Sequence, residues 1–168
     1  MAEKLSLRDY QRDLAERLRA AESSQNVSLL ALQVGEQGWL VDLADAGEVI
    51  PVPPITPVPL TRPWFKGVTN IRGNLYSVVD FPAFLGASPV TVAGESRLLL
   101  IGERFRMGSA LLVDRSLGLR NPAQLTARPK SSQAPWVKAE YSDPEGRIWQ
   151  ELDIPQLVQQ QDFLGVAQ

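Results

Sequence analysis

The chain has 168 residues, 44% of them hydrophobic, which suffices for one domain or for two small subdomains that share a core. Its formal net charge of -2 argues against a general nucleic-acid-binding protein, because such proteins neutralise phosphates with a basic surface. Cysteine and histidine are both absent, which excludes a disulfide framework, a thiolate zinc site and the commonest general base.

The first predicted element is an amphipathic helix over residues 6–22. Its apolar residues recur at spacings of three and four and form one stripe: Leu7, Tyr10, Leu14, Leu18 and Ala21. Ser6 and Asp9 resemble a capping box at its start. We expect this helix to pack on its own domain, with docking to a partner as the alternative. A membrane-surface helix is disfavoured because acidic residues interleave with the arginines.

A polar segment at 23–26 predicts a linker, which divides the chain into a helix and linker at 1–25 and a β domain at 26–168. Apolar or alternating runs in the second part predict strands. They cover residues 27–34, 39–43, 48–52, 67–72, 75–81, 97–101, 108–115, 136–141 and 147–152.

Two segments between these strands are predicted to lack regular structure. Six prolines between Pro51 and Pro63 exclude a central strand or helix, so we expect a connection there, with a polyproline ligand as the less favoured alternative. Residues 121–135 also have loop composition. Near the end of the chain, Asp153 can cap a short helix that carries Pro155 in its first turn, where the missing N–H is tolerated.

The most distinctive stretch is a predicted β-hairpin around Gly73 and Asn74, two residues that tolerate the positive φ of a tight turn. Arg72 stands beside this turn. One interpretation is a solvated hairpin tip. The other is a rigidly held arginine presented to a partner, since arginine forms several directed hydrogen bonds at binding sites.

A repeated pattern links the two halves of the β region. Residues 29–36 and 98–103 each run from an apolar strand into a Gly-Glu turn, and each is followed by a strand that contains Val-Asp, at Asp42 and at Asp114. This pattern indicates two similar β units in tandem.

The run Phe-Lys-Gly-Val-Thr-Asn-Ile-Arg-Gly at 65–73 resembles the signature of the CheW family, adaptors that couple chemoreceptors to a histidine kinase. The family pattern is close to F-I-K-G-V-x-N-L-R-G, followed by a strand that ends V-V-D-L, and Val-Val-Asp-Phe at 78–81 continues the match. The resemblance covers about residues 27–158. It implies a mainly β fold of two small five-stranded barrels around a shared apolar interface, with the N-terminal helix and a short C-terminal helix added.

The resemblance also implies partners and contact residues. In the family the receptor tip docks against the groove between the barrels, and the receptor-facing turn matches Asn70, Ile71, Arg72 and Gly73. Glu48 matches a family glutamate in a V-Q-E-I run. The kinase carries a CheW-like regulatory domain that associates through the barrel ends, and the candidates for that contact are Gly67 and Val68.

This chain departs from the family pattern at several places. Ser77 stands where the family usually has proline, Arg115-Ser-Leu-Gly replaces a G-V-S-D-type run, and the N-terminal helix is extra. These departures favour a specialised system such as the branch that controls type IV pili and twitching motility.

Two other classes remain as alternatives. An enzyme would have to use carboxylates, of which the candidates are Asp42, Glu48, Asp80, Glu103 and Asp114, but no phosphate-binding or calcium-binding motif accompanies them. An oligonucleotide-binding barrel would use aromatic platforms and basic contacts, at Trp39, Phe65 and Tyr76 and at Arg62, Lys66 and Arg72. We expect an adaptor without cofactor or metal. We also expect it to be cytoplasmic, because no stretch approaches the roughly 20 apolar residues of a membrane span and the N-terminus lacks an apolar signal core.

Overall fold

The computed structural model describes residues 7–26 and 28–165, with side chains outside 19–26. More of these residues lie in strands than in helices, which confirms the predicted mainly β class. The elements are α1 Leu7–Asn26, β1 Leu29–Val34, β2 Gln37–Asp42, β3 Ala46–Pro51, β4 Phe65–Ile71, β5 Asn74–Asp80, α2 Phe81–Phe84, β6 Arg97–Ile101, β7 Ser109–Val113, β8 Arg115–Arg120, β9 Thr126–Arg128, β10 Val137–Ser142, β11 Ile148–Leu152, α3 Ile154–Leu157 and α4 Gln161–Leu164.

Within the described residues the strands form two sheets. The first sheet has the order β8-β1-β2-β11-β10-β9 and the second sheet has the order β3-β6-β7-β5-β4. Neighbouring strands are antiparallel except β2 with β11 and β5 with β7, which are parallel. The short strand β9 gives the first sheet a sixth member, one more than the five strands expected for each barrel.

The two halves of the chain exchange strands between the sheets. The β1–β2 hairpin joins β8, β10 and β11, whereas the β6–β7 hairpin joins β3, β4 and β5. These two hairpins carry the repeated sequence pattern and have equivalent positions in the two sheets. Each hairpin belongs to the sheet whose other strands come from the other half of the chain. Because of this exchange, neither half of the chain contains all the strands of one sheet.

The core has three layers, which follow from strands that are apolar on both faces. On β1, Leu30, Leu32 and Val34 point into a cluster shared by both sheets, while Leu29 and Ala31 point into the interior of the first sheet. On β7, Leu111 and Val113 join the shared cluster, while Ala110 and Leu112 fill the interior of the second sheet. Period-two alternation sends successive side chains to opposite faces, so both faces of these strands are buried. The shared cluster holds the two sheets together.

The C-terminal part of the chain contains the predicted helix cap and also several elements that the sequence did not predict. The Asp153 side chain accepts a hydrogen bond from the Gln156 N–H at 3.1 Å and caps α3, with Pro155 in the first turn, as predicted. The strand β8 was not expected, and neither was α4. β9 lies in the segment 121–135 that was predicted to be loop.

Helix α1 differs from its prediction in length and in packing. It continues to Asn26 through the segment predicted as a linker. Its apolar side chains are exposed, with Leu7 at 75% and Leu18 at 55%. The expectation that this stripe packs on its own domain is therefore wrong for the described side chains. The predicted cap at Ser6 lies outside the described residues, and so does the side chain of Ala21. None of the helices described is long and apolar enough to cross a membrane.

Candidate functional site

The hairpin predicted from the sequence is present, with its turn one residue earlier than expected. Ile71 pairs with Asn74, so Arg72 and Gly73 are the two loop residues. Both have positive φ, at 50° and 85°, as a type I′ turn requires. The prediction of a Gly73-Asn74 turn is therefore wrong by one residue. Arg72 lies inside the turn, in a conformation that costs a residue with a Cβ about 1–2 kcal/mol.

Neighbouring residues of the signature build this turn. The Asn70 side chain accepts a hydrogen bond from the Gly73 N–H at 3.0 Å. Ile71 is buried in the interior of the second sheet, beside Val78. Asn70 and Ile71 therefore fix the base of the turn from opposite faces of β4, one through a hydrogen bond and the other through packing.

The structure brings Arg72 together with Glu48, which the sequence placed 24 residues away. Glu48 lies on β3 and Arg72 follows β4, and these strands are the two edges of the second sheet. The sheet curls so that its two edges, β3 and β4, meet along a seam. Across this seam the guanidinium of Arg72 donates a hydrogen bond to the Glu48 carboxylate. This hydrogen bond and the negative charge of Glu48 raise the pKa of Arg72 above its ordinary value. The guanidinium therefore stays charged.

The ion pair remains open to solvent. The Arg72 side chain is 67% exposed and the Glu48 side chain 48%. Beside the pair lies a hollow of about 250 Å³, lined by Ile71, Tyr76, Leu100 and Glu103 among others. The guanidinium has five N–H donors, so this edge presents spare donors above a small pocket with an apolar wall.

A backbone contact closes the seam a few residues further along β4. Thr56, in the proline-rich connection, exchanges two hydrogen bonds with Val68, at 2.8 and 2.9 Å. Gly67 is buried beneath this contact with a φ of 137°, and a Cβ on it would lie 2.1 Å from the Thr56 carbonyl oxygen. The residue must therefore be glycine for the connection to cover the edge of β4. Val68 is half-buried at the same place.

A second concave surface was not predicted from the sequence. A cleft of about 1060 Å³ lies between the β1–β2 turn, α2 with the loop after it, and the segment before β10. Trp39 and Trp136 line it. The buried indole nitrogen of Trp39 has no hydrogen-bond partner in the described part of the chain. The cleft lies beside α2, at the opposite end of β5 from Arg72, and seven extended residues span about 23 Å.

Comparison with known proteins identifies the family. The sequence profile of the CheW-like domain matches residues 28–162, most of the chain. The chain belongs to the CheW-like domain family. Its relatives include the protein PilI of Pseudomonas aeruginosa, 29% identical over 100 residues that cover 60% of this chain and 56% of PilI. The chemotaxis protein CheW of Thermotoga maritima is 31% identical over 99 residues, which cover 59% of this chain and 64% of that protein. Each match thus spans less than two thirds of the relative.

The fold agrees with a solved CheW structure. The crystal structure of the scaffolding protein TtCheW from Thermoanaerobacter tengcongensis superposes with a TM-score of 0.63 at 18% identity and covers 76% of this chain and 88% of that one. The family match over residues 28–162 confirms the resemblance based on residues 64–81. The strand β8 coincides with the Arg115-Ser-Leu-Gly departure, so this departure lies in a strand that pairs with β1.

Three of the five carboxylates that an enzyme would need accept hydrogen bonds from the backbone and hold turns and loops of the fold together. Asp80, fully buried, accepts hydrogen bonds from the N–H groups of Ala83 at 3.1 Å and Val90 at 2.9 Å, and its carboxylate lies 3.7 Å from the Lys66 ammonium. Asp42 and Asp114 accept from backbone N–H groups of turns that follow strands. Within the described residues, no three His, Cys, Asp or Glu side chains form a group that could hold a metal.

Two of the three aromatic side chains expected of an oligonucleotide-binding barrel are not available for that role, and two of the three basic ones already have carboxylate partners. Trp39 is 2% exposed and Phe65 9%, so neither can stack on a base. Lys66 and Arg72, expected to contact phosphates, pair with Asp80 and Glu48. The prediction of aromatic platforms at Trp39 and Phe65 is wrong, because both side chains are buried inside the protein.

Proposed function

We propose that this chain is a non-catalytic adaptor that couples a chemoreceptor to a histidine kinase, in the branch of chemosensory systems that controls type IV pili. Membership of the CheW-like family supports the adaptor role, and the likeness to PilI supports the branch. The structural use of Asp42, Asp80 and Asp114 supports the absence of catalysis.

The observation that carries the proposal is the geometry of Arg72. A charged residue occupies a positive-φ turn position that glycine or asparagine would fill without strain. Residues in strained backbone conformations of this kind cluster at binding and catalytic sites. Arg72 is also exposed, paired at one nitrogen with Glu48, and set beside a pocket. We therefore assign the receptor-facing contact to Arg72 and Glu48, supported by Asn70, Ile71 and Gly73.

The kinase contact is assigned to the half-buried side chain of Val68 on β4. Gly67 contributes by allowing the proline-rich connection to lie against β4, not by contacting the kinase itself, because it is buried under Thr56. In this proposal the receptor and the kinase use different parts of the same hairpin. Substitutions at the Arg72 turn should therefore leave kinase binding intact.

The test is a charge exchange across the seam. Three variants are made: Arg72→Glu, Glu48→Arg, and the double variant. Binding is measured by calorimetry to the cytoplasmic tip fragment of a methyl-accepting chemoreceptor and to the CheW-like regulatory domain of a histidine kinase from the same organism. We expect Arg72→Glu to weaken receptor binding about 10-fold to 100-fold, the loss typical of a charge-assisted hydrogen bond. The double variant should recover the parent's melting temperature but not its receptor affinity.

The same experiment separates a structural from a binding role. If the double variant recovers receptor binding together with stability, the pair only closes the sheet and the assignment to Arg72 is wrong. Ala87→Arg is the matched control at the cleft that Trp39 and Trp136 line, because Ala87 is an exposed residue of the same cleft. A loss of receptor binding in Ala87→Arg, with the Arg72 variants unaffected, would place the receptor in the cleft.

A further inference from the structure

The apolar stripe of α1 is exposed along its described length. Leu7, Tyr10, Leu14 and Leu18 are 75%, 64%, 47% and 55% exposed, and every described side chain of the helix is exposed as well. A helix of about 20 residues is marginal in water when nothing packs against it. The stripe therefore needs a partner surface outside the body of its own chain.

The spacing of the stripe is the same in both directions from Leu14. Tyr10 and Leu18 lie four residues before and after it, and Leu7 and Ala21 lie seven residues before and after it. A two-fold axis through Leu14 would therefore lay the stripe of one helix antiparallel on that of a second copy. Tyr10 would then lie at the height of Leu18 of the second copy, and each copy would present the same surface to the other, as an isologous interface requires.

The charges beside the stripe favour the antiparallel arrangement. At 100° per residue, Asp13 and Arg17 lie on one flank of the stripe, and Gln11 and Ala15 lie on the other. In an antiparallel pair the same flanks of both copies meet, and Arg17 of each copy then lies about 3 Å along the axis from Asp13 of the other. Asp13 and Arg17 already form an ion pair of 3.1 Å within the helix, so both are charged and oriented along this flank. A parallel pair would set this flank against Gln11 and Ala15 of the other copy, neither of which is charged.

We propose that α1 is a self-association helix that pairs antiparallel with α1 of a second copy of this chain, centred on Leu14. The stripes of the two copies form the contact, and the charges of the flank run Arg17, Asp13, Asp13, Arg17 along the axis, two from each copy. Two approaches between Arg17 and Asp13 therefore accompany one between the two Asp13 carboxylates, all at about 3 Å along the axis. The interface is short, because a 20-residue helix is about 30 Å long. The dimer is therefore weak and depends on protein concentration.

The absence of cysteine makes a geometric test possible. Single cysteines are introduced into the full chain at Leu14 and, separately, at Leu7, and each variant is treated with a short thiol cross-linker. Leu14→Cys should cross-link efficiently, because the two-fold axis passes through this position. Leu7→Cys should not, because its two copies would be about 21 Å apart along the axis. A mixture of Tyr10→Cys and Leu18→Cys should form the mixed dimer in preference to either self-linked product.

Sedimentation equilibrium supplies the second measurement. The parent chain should show a reversible monomer–dimer equilibrium, and Leu14→Glu should raise the dissociation constant about tenfold or more by placing two carboxylates at the axis. Arg12→Glu, on the opposite face of the helix, is the control and should dimerise like the parent. A thermal melt should be unchanged in both variants, because both side chains are exposed in the monomer.

Several outcomes would overturn the proposal. The proposal is wrong if the parent chain stays monomeric at every concentration. It is also wrong if Leu7→Cys and Leu14→Cys cross-link equally, because equal cross-linking indicates a parallel pair. A Leu14→Glu variant that still dimerises excludes the stripe as the interface. Loss of receptor or kinase binding in Leu14→Glu, without any parent dimer, shows that α1 docks on a different protein.

Discussion

Replacement of Gly67 by alanine should destabilise the protein strongly, because this glycine lets the proline-rich connection seal the second sheet. The new Cβ would lie 2.1 Å from the Thr56 carbonyl oxygen and 2.9 Å from the Cα of Pro57. Both obstacles are backbone atoms, so the connection itself must move. That movement breaks the two hydrogen bonds between Thr56 and Val68.

The magnitude follows from these contacts. Each lost hydrogen bond contributes about 1 kcal/mol to the free energy of unfolding. A residue with a Cβ held at a φ of 137° adds strain of about 1–3 kcal/mol. We therefore expect Gly67→Ala to lower the free energy of unfolding by about 3–5 kcal/mol, a large fraction of the roughly 5–15 kcal/mol of an ordinary domain.

Gly146→Ala is the matched control. Gly146 also has a positive φ, 84°, but a Cβ there would meet no atom within 4 Å. This variant should lose only about 1–2 kcal/mol. The effect of a Gly-to-Ala change on the unfolded chain is the same in both variants and cancels in the comparison.

Urea unfolding at neutral pH gives the free energy of each variant from its midpoint and slope. The reasoning is refuted if the two variants lose equal stability, since the contact with Thr56 would then carry no weight. Kinase binding should fall in Gly67→Ala only to the extent that the folded fraction falls. A loss of binding by a fully folded Gly67→Ala would instead show that the kinase contact needs the proline-rich connection in place against β4.

Two further predictions concern buried or nearly buried carboxylates. Asp80→Ala should lower the free energy of unfolding by about 2–4 kcal/mol, because it leaves the N–H groups of Ala83 and Val90 without their acceptor; a melt that matches the parent's would show that water replaces the carboxylate. Burial raises the pKa of Glu151 in the folded protein above its value in the unfolded chain. Protonated Glu151 therefore stabilises the folded state at pH values below the unfolded pKa, and this stabilisation is lost as the pH rises through the folded pKa. Glu151→Gln should therefore raise the urea midpoint at pH 7 and lose that advantage below about pH 4, and an equal gain at both pH values would exclude titration of Glu151 as the cause.

Local patterns in the sequence determined the features that depend on neighbours in the chain. Strands that are apolar on both faces, such as β1 and β6, are visible because every residue contributes to burial. The cap at Asp153 and the existence of the β4–β5 hairpin are local in the same sense, since each is set by side chains and φ preferences within a few residues. The signature at 65–73 also identified the family, because it is contiguous.

The register of the hairpin could not be determined from this pattern. A turn at 72–73 and a turn at 73–74 both put Ile71 on the same face as Val78, because moving the turn by one residue shifts the cross-strand pairing by two. Hydrophobic alternation is therefore identical in the two registers. The observed register places Arg72 itself at a positive φ, which its residue type would not suggest.

Only the tertiary structure decided the exchange of hairpins, the seam and the partner of Arg72. The strand β8 escaped prediction because its residues are mostly polar or glycine and it pairs along one edge of the first sheet, so that tertiary pairing, not burial, makes it a strand. Glu48 and Arg72 meet because a five-stranded sheet curls until its edges touch, a property of the whole sheet that no segment encodes alone. The sequence pattern correctly predicted that α1 is amphipathic. Whether its apolar face is covered depends on a surface elsewhere, and the pattern within the helix contains no information about that surface.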